Sequence, residues 1–293
     1  MLNVTLSVVI ITCNEEANLG RTLKSVEGLM RDLGGEIIVV DSGSTDRTVE
    51  IARSFGARVF VEEWKGYAAQ KNSAIEKARG DWVLSLDADE EVDEELSCNI
   101  RVLAVRGERP PKRSTELILI AGAKLFGGFG VERVRTQTPI EAYYLARKNF
   151  FLGRWIKRGG FFPDFKLRLF RRGKGRFHDS LVHETVKVDG SRARLRSFFI
   201  RGALIHHAYP TLSDYIEHMN RYSSLGAEMA TEKAQRGFSV VNIVLRPLAT
   251  FIYNYVFRLG FLDGREGLLL HLYHAVYVSW KYAKAWEISR QRR

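Results

Sequence analysis

Two aspartates one residue apart, Asp87 and Asp89, follow the apolar run Trp82-Val83-Leu84-Ser85-Leu86. Carboxylates at i and i+2 past a strand point to the same side of the chain. At the carboxyl edge of a parallel sheet they stand where open α/β folds bind ligands. Like charges so placed repel each other unless a cation or polar ligand joins them. A hard divalent ion, held by one or two carboxylates and by substrate phosphates, answers that need. The competing reading makes the pair a strand end that caps a helix, because Glu90, Glu91, Asp93, Glu94 and Glu95 follow as a helix-start cluster.

Two other loops carry compatible chemistry. One is Thr12-Cys13-Asn14-Glu15-Glu16; the other is Asp41-Ser42-Gly43-Ser44-Thr45-Asp46. Asp41 suits a base N–H, and Gly43 lets backbone approach a ligand. Ser42, Ser44 and Thr45 suit the amino end of a following helix, which favours anions. Each loop alone is also an ordinary turn and helix start. Together the three would line one edge of a sheet around its topological switch point.

The elements that must position these loops alternate along residues 1–100. Apolar runs at 6–11, 36–40, 57–61 and 82–86 read as strands, and 14–30, 45–55 and 68–78 as helices, with Asn14 as a possible cap. Alternation of this kind predicts an α/β fold with a doubly wound, mostly parallel sheet. Uninterrupted apolar strands fit a sheet covered on both faces. Residues 106–114 read as a loop, 127–130 as a break and 143–146 as a strand. From Thr211 onward the pattern is helical. These shifts divide the chain into segments 1–100, 101–210 and 211–293.

Two cysteines in 293 residues make no disulfide framework and suit a reducing compartment. The first residues lack a basic n-region and cleavage site, so no signal peptide is expected. The formal net charge of +11 points to an anionic partner. Residues 147–176 hold eleven Lys or Arg against Asp164 alone, interleaved with aromatics. Such a stretch is compatible with nucleic acid, but no recognised nucleic-acid module is present.

The runs Ser7–Glu16, Val40–Asp46, Gln70-Lys71-Asn72 and Leu86–Asp89 together resemble family 2 glycosyltransferases of the GT-A fold. Within that family the chain is most similar to lipopolysaccharide core glucosyltransferases acting on inner-core heptose. That likeness extends to Gly159–Asp164, Arg168–Arg172, Val182-His183-Glu184 and Gly260–Gly264, and is thinnest over 101–142. The resemblance implies a nucleotide-sugar-binding half over 1–100, an acceptor-binding half over 101–210, and a C-terminal helical extension over 211–293.

It also implies an inverting transfer assisted by Mg²⁺ or Mn²⁺, with Asp89 as direct ligand and Asp87 nearer the ribose or bound through water. Thr12, Asn14, Glu15, Asp41 and Ser42 would hold base and ribose. Lys71 offers a charge to a phosphate, and Asn72 would orient a sugar or a loop; the plain reading of Lys71 is an exposed helix lysine. An acceptor hydroxyl needs a general base, and two carboxylates compete for that role, Glu184 and Asp164. The alternative makes either one a structural ion-pair partner of Arg168 or Arg171. His206 is a candidate third metal ligand or a structural histidine; of His206 and His207 at most one faces the metal.

Phe238–Leu262 is apolar but interrupted by Arg246, Pro247, Asn254 and Arg258, which argues against spanning a bilayer. Residues 268–286 carry Tyr273, Tyr277, Trp280, Tyr282 and Trp286 with lysines and a basic tail, a pattern suited to a headgroup interface. The alternative packs these helices on the protein or on a second copy. The expected protein is cytoplasmic and peripheral to the inner face of the cytoplasmic membrane. It would move glucose from UDP-glucose to a glycolipid, with polyprenyl phosphate or a peptide side chain as other acceptors. A nucleic-acid- or anionic-lipid-binding protein is the reading from another class.

Overall fold

The computed structural model describes residues 5–106, 118–119, 132–133, 140–178, 185–188, 191–194, 202–232 and 238–291. The amino-terminal elements are β1 (Leu6–Thr12), α1 (Leu19–Leu33), β2 (Glu36–Asp41), α2 (Thr48–Ser54), β3 (Arg58–Val61), α3 (Tyr67–Glu76), β4 (Trp82–Asp87), β5 (Glu90–Val92) and α4 (Glu94–Arg106). Short strands β6 (Ile118–Leu119) and β7 (Glu132–Arg133) pair with each other. Then come β8 (Ile140–Phe151), β9 (Arg154–Trp155), β10 (Asp164–Arg171), β11 (Gly175–His178), β12 (Thr185–Val188), β13 (Ser191–Arg194) and β14 (Leu204–Tyr209). Helices α5 (Leu212–Glu232), α6 (Arg246–Ile252) and α7 (Gly264–Gln291) close the chain, with π-helical turns at Val241–Leu245 and Tyr253–Phe257 flanking α6.

The main sheet runs in the order β3-β2-β1-β4-β10-β8-β14-β5. Its first four strands are parallel, and β10 joins β4 antiparallel. The α/β class, the mostly parallel sheet and the C-terminal helices match the sequence expectation. Alternation inside each strand splits the core in two. Val8, Ile10, Ile37, Val39, Leu84 and Leu86 meet the buried stripe of α1 and α4. Val9, Ile38, Val40 and Val83 face Ala68, Ala74 and Ile75 of α3 and Phe177 of β11. Both faces are covered, which is why these strands read as unbroken apolar runs. Helix α1 buries Leu19, Leu23, Val26, Leu29 and Leu33, and Gly34 ends it in the left-handed region.

Three boundaries differ from the pattern reading. Helix α1 starts at Leu19, not Asn14: Asn14 is left-handed (φ 56°), and Asn18 N–H and Leu19 N–H both bond Glu15 O in an intervening turn. Helix α2 starts at Thr48 rather than Thr45, with Asp46 Oδ1 accepting the Thr48 N–H at 3.0 Å. Glu90 opens a strand instead of a helix; the helix waits for Asp93, whose Oδ1 accepts the Leu96 N–H at 2.8 Å. The strand expected at 143–146 lies inside β8. The break at 127–130 and, apart from Arg106, the loop at 106–114 fall outside the described residues.

The chain forms two compact units that interleave in sequence. The first comprises Met1–Arg147, Phe165–Asp179 and Glu184–Ile205; the second comprises Lys148–Asp164, Ser180–His183 and His206–Arg293. In the second, Phe151, Ile156, Tyr215 and Leu270 form the buried cluster. Helices α5 and α7 approach closely through the small residues Ala227, Ala230 and Ala285. Lys284 Nζ fastens the pair, donating to Asn220 O, Asn220 Oδ1, Ser223 Oγ and Ser224 Oγ.

Candidate active site

In the first unit the carboxyl ends of β1, β2 and β4 carry the three loops. Parallel pairing puts Thr12 beside Asp41 and Ile11 beside Asp87. The first two loops are stitched together by polar contacts. Ser42 N–H donates to Thr12 O (2.9 Å), Asn14 N–H to Ser44 Oγ (2.8 Å), Thr45 N–H to Asn14 Oδ1 (2.9 Å) and Glu15 N–H to Thr48 Oγ1 (2.7 Å). Asp41 is fully buried, and its carboxylate accepts from Thr12 Oγ1, Gly43 N–H, Ser44 N–H and Ser44 Oγ. It organises its own loop. Gly43, at φ 87°, supplies the left-handed turn that brings two of those donors round. The Ser42 hydroxyl oxygen is buried with no hydrogen-bond partner, as are both ends of the Gln70 amide.

Asp87 sits between two cations. Its Oδ1 lies 2.8 Å from Lys71 Nζ, and its Oδ2 is bonded by Arg168 Nη2. Burial works against its ionisation, but Arg168 and Lys71 prevail and hold the carboxyl well below the usual range. Lys71 is therefore not an exposed helix lysine; it is buried, with the Phe177 ring 5.1 Å away. Arg168 reaches on to the fully buried Glu90 at 3.0 Å, and Glu90 is also bonded by Arg147 at 3.1 Å and by the Asp87 N–H at 3.0 Å. Asn72 bonds the backbone of Phe177 in both directions, each at 2.9 Å, so it orients a strand.

Glu15 reports the local field. Its pKa is raised, first by burial and then by the charges of Asp89, Asp46 and Asp87, against a hydrogen bond from Asn18. The charges of Asp89, Asp46 and Asp87 are thus all close enough to act on Glu15. Among the described residues no three His, Cys, Asp or Glu side chains form a ready cage for a metal. The donor set instead fits an ion that one or two carboxylates share with a phosphorylated ligand, and the unpartnered Ser42 hydroxyl suits a polar ligand there.

In the second unit Asn149 joins two of the expected residues. His206 Nδ1 is 2.8 Å from Asn149 Oδ1, an amide oxygen that can only accept, so Nδ1 is the donor. Asn149 Nδ2 is 3.4 Å from Asp164 Oδ2. His207 packs on Phe150 instead. Glu184 and His183 fall outside the described residues.

Sequence reasoning missed Arg168, Glu90, Arg147 and Asn149 as site residues. The basic stretch 147–176, the run Arg168–Arg172 within it and the acidic cluster that begins at Glu90 were the signals, and much of the basic stretch is engaged internally. Arg154 pairs with Glu266, Arg171 with Glu141 and Arg176 with Glu76, while Arg172 bonds Gly80 O.

Residues 7–101 match the model of the family described as Glycosyl transferase family 2. The lipopolysaccharide core biosynthesis glycosyltransferase LpsC of Rhizobium meliloti (strain 1021) is 30% identical over 289 residues, covering 96% of this chain and 92% of that protein. An uncharacterized glycosyltransferase of Rickettsia typhi is 27% identical over 98% of this chain and 89% of its own. Among solved structures, Staphylococcus aureus TarS residues 1–349 is 16% identical over 99% of this chain and 92% of that one, with a TM-score of 0.41.

Proposed function

The chain belongs to glycosyl transferase family 2, and from that premise we propose that it is an inverting hexosyltransferase. It takes glucose from UDP-glucose and delivers it to a glycolipid such as a lipopolysaccharide core heptose, at the inner face of the cytoplasmic membrane. The observation that carries this reading is the acidic edge at Asp87 and Asp89, backed by the buried cations Lys71 and Arg168. The acceptor class is supported by the relative LpsC, a lipopolysaccharide core biosynthesis glycosyltransferase matched over nearly its whole length.

The residues divide the work. Thr12, Asn14, Glu15, Asp41 and Ser42 form the pocket for base and ribose. Asp87 is held by two cations, so Asp89 is the better direct ligand for Mg²⁺ or Mn²⁺, with His206 as a further candidate. A divalent ion bound there neutralises the charge that develops on the leaving diphosphate. Lys71 holds a fixed positive charge at the same edge. Asn72 serves by fixing the strand against which Lys71 packs. Glu184 takes the proton of the acceptor hydroxyl, with Asp164 as its competitor.

A donor screen following UDP or GDP release, with purified membrane glycolipid as acceptor, tests the reading. UDP release from UDP-glucose that depends on glycolipid is expected; release dependent on polyprenyl phosphate or a peptide moves the acceptor. Glu184→Gln should lower kcat by about 10²-fold with donor affinity little changed, and Asp164→Asn should cost less. The reverse ranking transfers the role to Asp164.

A further inference from the structure

The segment from Phe238 to Leu272 has the amphipathicity of a soluble helix turned inside out. Val241, Leu245, Leu248, Ile252 and Val256 recur at helical spacing along α6 and its two π-helical turns, and all are exposed. Phe257 beside them is 73% exposed. The opposite side carries the buried Pro247 and the half-buried Ile243, Thr250 and Asn254, and Ile243 O accepts from Ser279 Oγ of α7 at 2.8 Å. Isolated exposed apolar residues need no explanation, but a continuous stripe of this kind marks an interaction surface.

Charge selects the occupant. No Asp or Glu occurs between Phe238 and Leu262, while Arg246 and Arg258 within that stretch are exposed. A two-fold pairing of copies through this face would set arginine against arginine with no acid to answer. Anionic headgroups supply the missing charge, and acyl chains supply the apolar phase. No helix among the described residues is long and apolar enough to cross a membrane.

We propose that the segment Val240–Leu262 lies in the plane of an anionic bilayer leaflet, its apolar stripe sunk among the acyl chains and its arginines at the phosphates. The aromatic half of α7, expected at the headgroups, is not the inserting surface. Tyr273, Tyr277, Trp280, Tyr282 and Trp286 are half-buried, and Lys284 is fastened to α5.

The same segment is bonded to the strap that leads to Asp164. Asp263 accepts the N–H groups of Lys157 (3.1 Å) and Arg158 (2.7 Å), and Arg258 O accepts that of Gly159 (3.0 Å). A leaflet that fixes this segment therefore also fixes the strap beside the Asn149, Asp164 and His206 group, which on the glycolipid reading faces a lipid-borne acceptor.

The test is flotation of the full chain with vesicles of phosphatidylethanolamine and phosphatidylglycerol, and with vesicles of phosphatidylcholine alone. Flotation with the anionic vesicles is expected, and Val241→Glu/Leu245→Glu/Phe257→Glu should lower the bound fraction at least about tenfold. Those side chains are exposed, so the variant should fold, and an unchanged melting temperature confirms that. Arg246→Gln/Arg258→Gln should bind less and lose salt dependence. Unchanged flotation of the triple variant overturns the proposal, and equal flotation with neutral vesicles overturns its anionic part. A dimer by light scattering that the triple variant makes monomeric assigns the face to a second copy and overturns it too. Flotation needs no donor or acceptor, so failure of the transfer reading leaves this outcome readable.

Discussion

The two compact units treat polar and apolar groups in opposite ways. At the strand edge of the first, carboxylates are answered inside the protein: Asp41 by four hydrogen bonds, Asp87 by Lys71 and Arg168, Glu90 by Arg168 and Arg147. In the second, the stripe along α6 is left to solvent, and the buried His271 has neither ring nitrogen bonded. The first is preorganised before any ligand arrives, as a site that must stabilise developing charge needs to be. The second leaves a row of apolar side chains exposed, and the bilayer proposal rests on that row.

The largest expected effect breaks the first side of that contrast. Arg168→Met leaves Glu90 buried with one cation fewer and Asp87 with Lys71 alone. Removing one partner of a buried charge network costs about 3–5 kcal/mol, so thermal melting should drop sharply and turnover should vanish. Arg168→Lys cannot bridge both acids and should recover only part of the stability. Near-wild-type melting in Arg168→Met would show that the network is not what holds the edge.

A smaller effect separates the units by pH. Burial, helped by His274 and Arg258 against the pull of Asp263, lowers the His271 pKa from 6.5 to about 4. The folded state then binds fewer protons than the unfolded state between these values. Stability from this group is present above about pH 6.5 and is lost as pH falls through about 4, by up to about 3 kcal/mol. His271→Leu should flatten that dependence in denaturant titrations, because neither ring nitrogen has a partner to lose. An unchanged slope would assign the acid sensitivity elsewhere.

The smallest effect sharpens the second side. Trp286→Ala removes a ring that packs on Phe238 at 5.3 Å and lies beneath Arg290. It should lower the melting temperature by a few degrees while vesicle binding stays largely intact. Loss of binding without loss of stability would return α7 to the membrane.

The legible and illegible parts of the chain follow the range of the forces involved. Strands β1, β2 and β4 and the loops at their ends were readable because local apolar runs and turn residues specify them. Helix starts were less readable: the Asn14 side chain serves Thr45 across the site, and Glu90 serves Arg168, 78 positions away. No local pattern carries such pairings. Asn149 was missed for the same reason, being linked to His206 only through the fold. The packing of α5 on α7 was not readable, since the short side chains that let them approach, Ala227, Ala230 and Ala285, leave little trace in an amphipathic reading.

The claim that the Asp87–Asp89 edge is a metal-assisted nucleotide site is tested most directly by calorimetric titration of UDP into the wild-type chain and Asp89→Ala, each with Mn²⁺ and with EDTA. The account predicts wild-type binding that requires the ion, and at least about tenfold weaker binding in a folded Asp89→Ala protein. Binding of UDP that neither EDTA nor Asp89→Ala diminishes would contradict it.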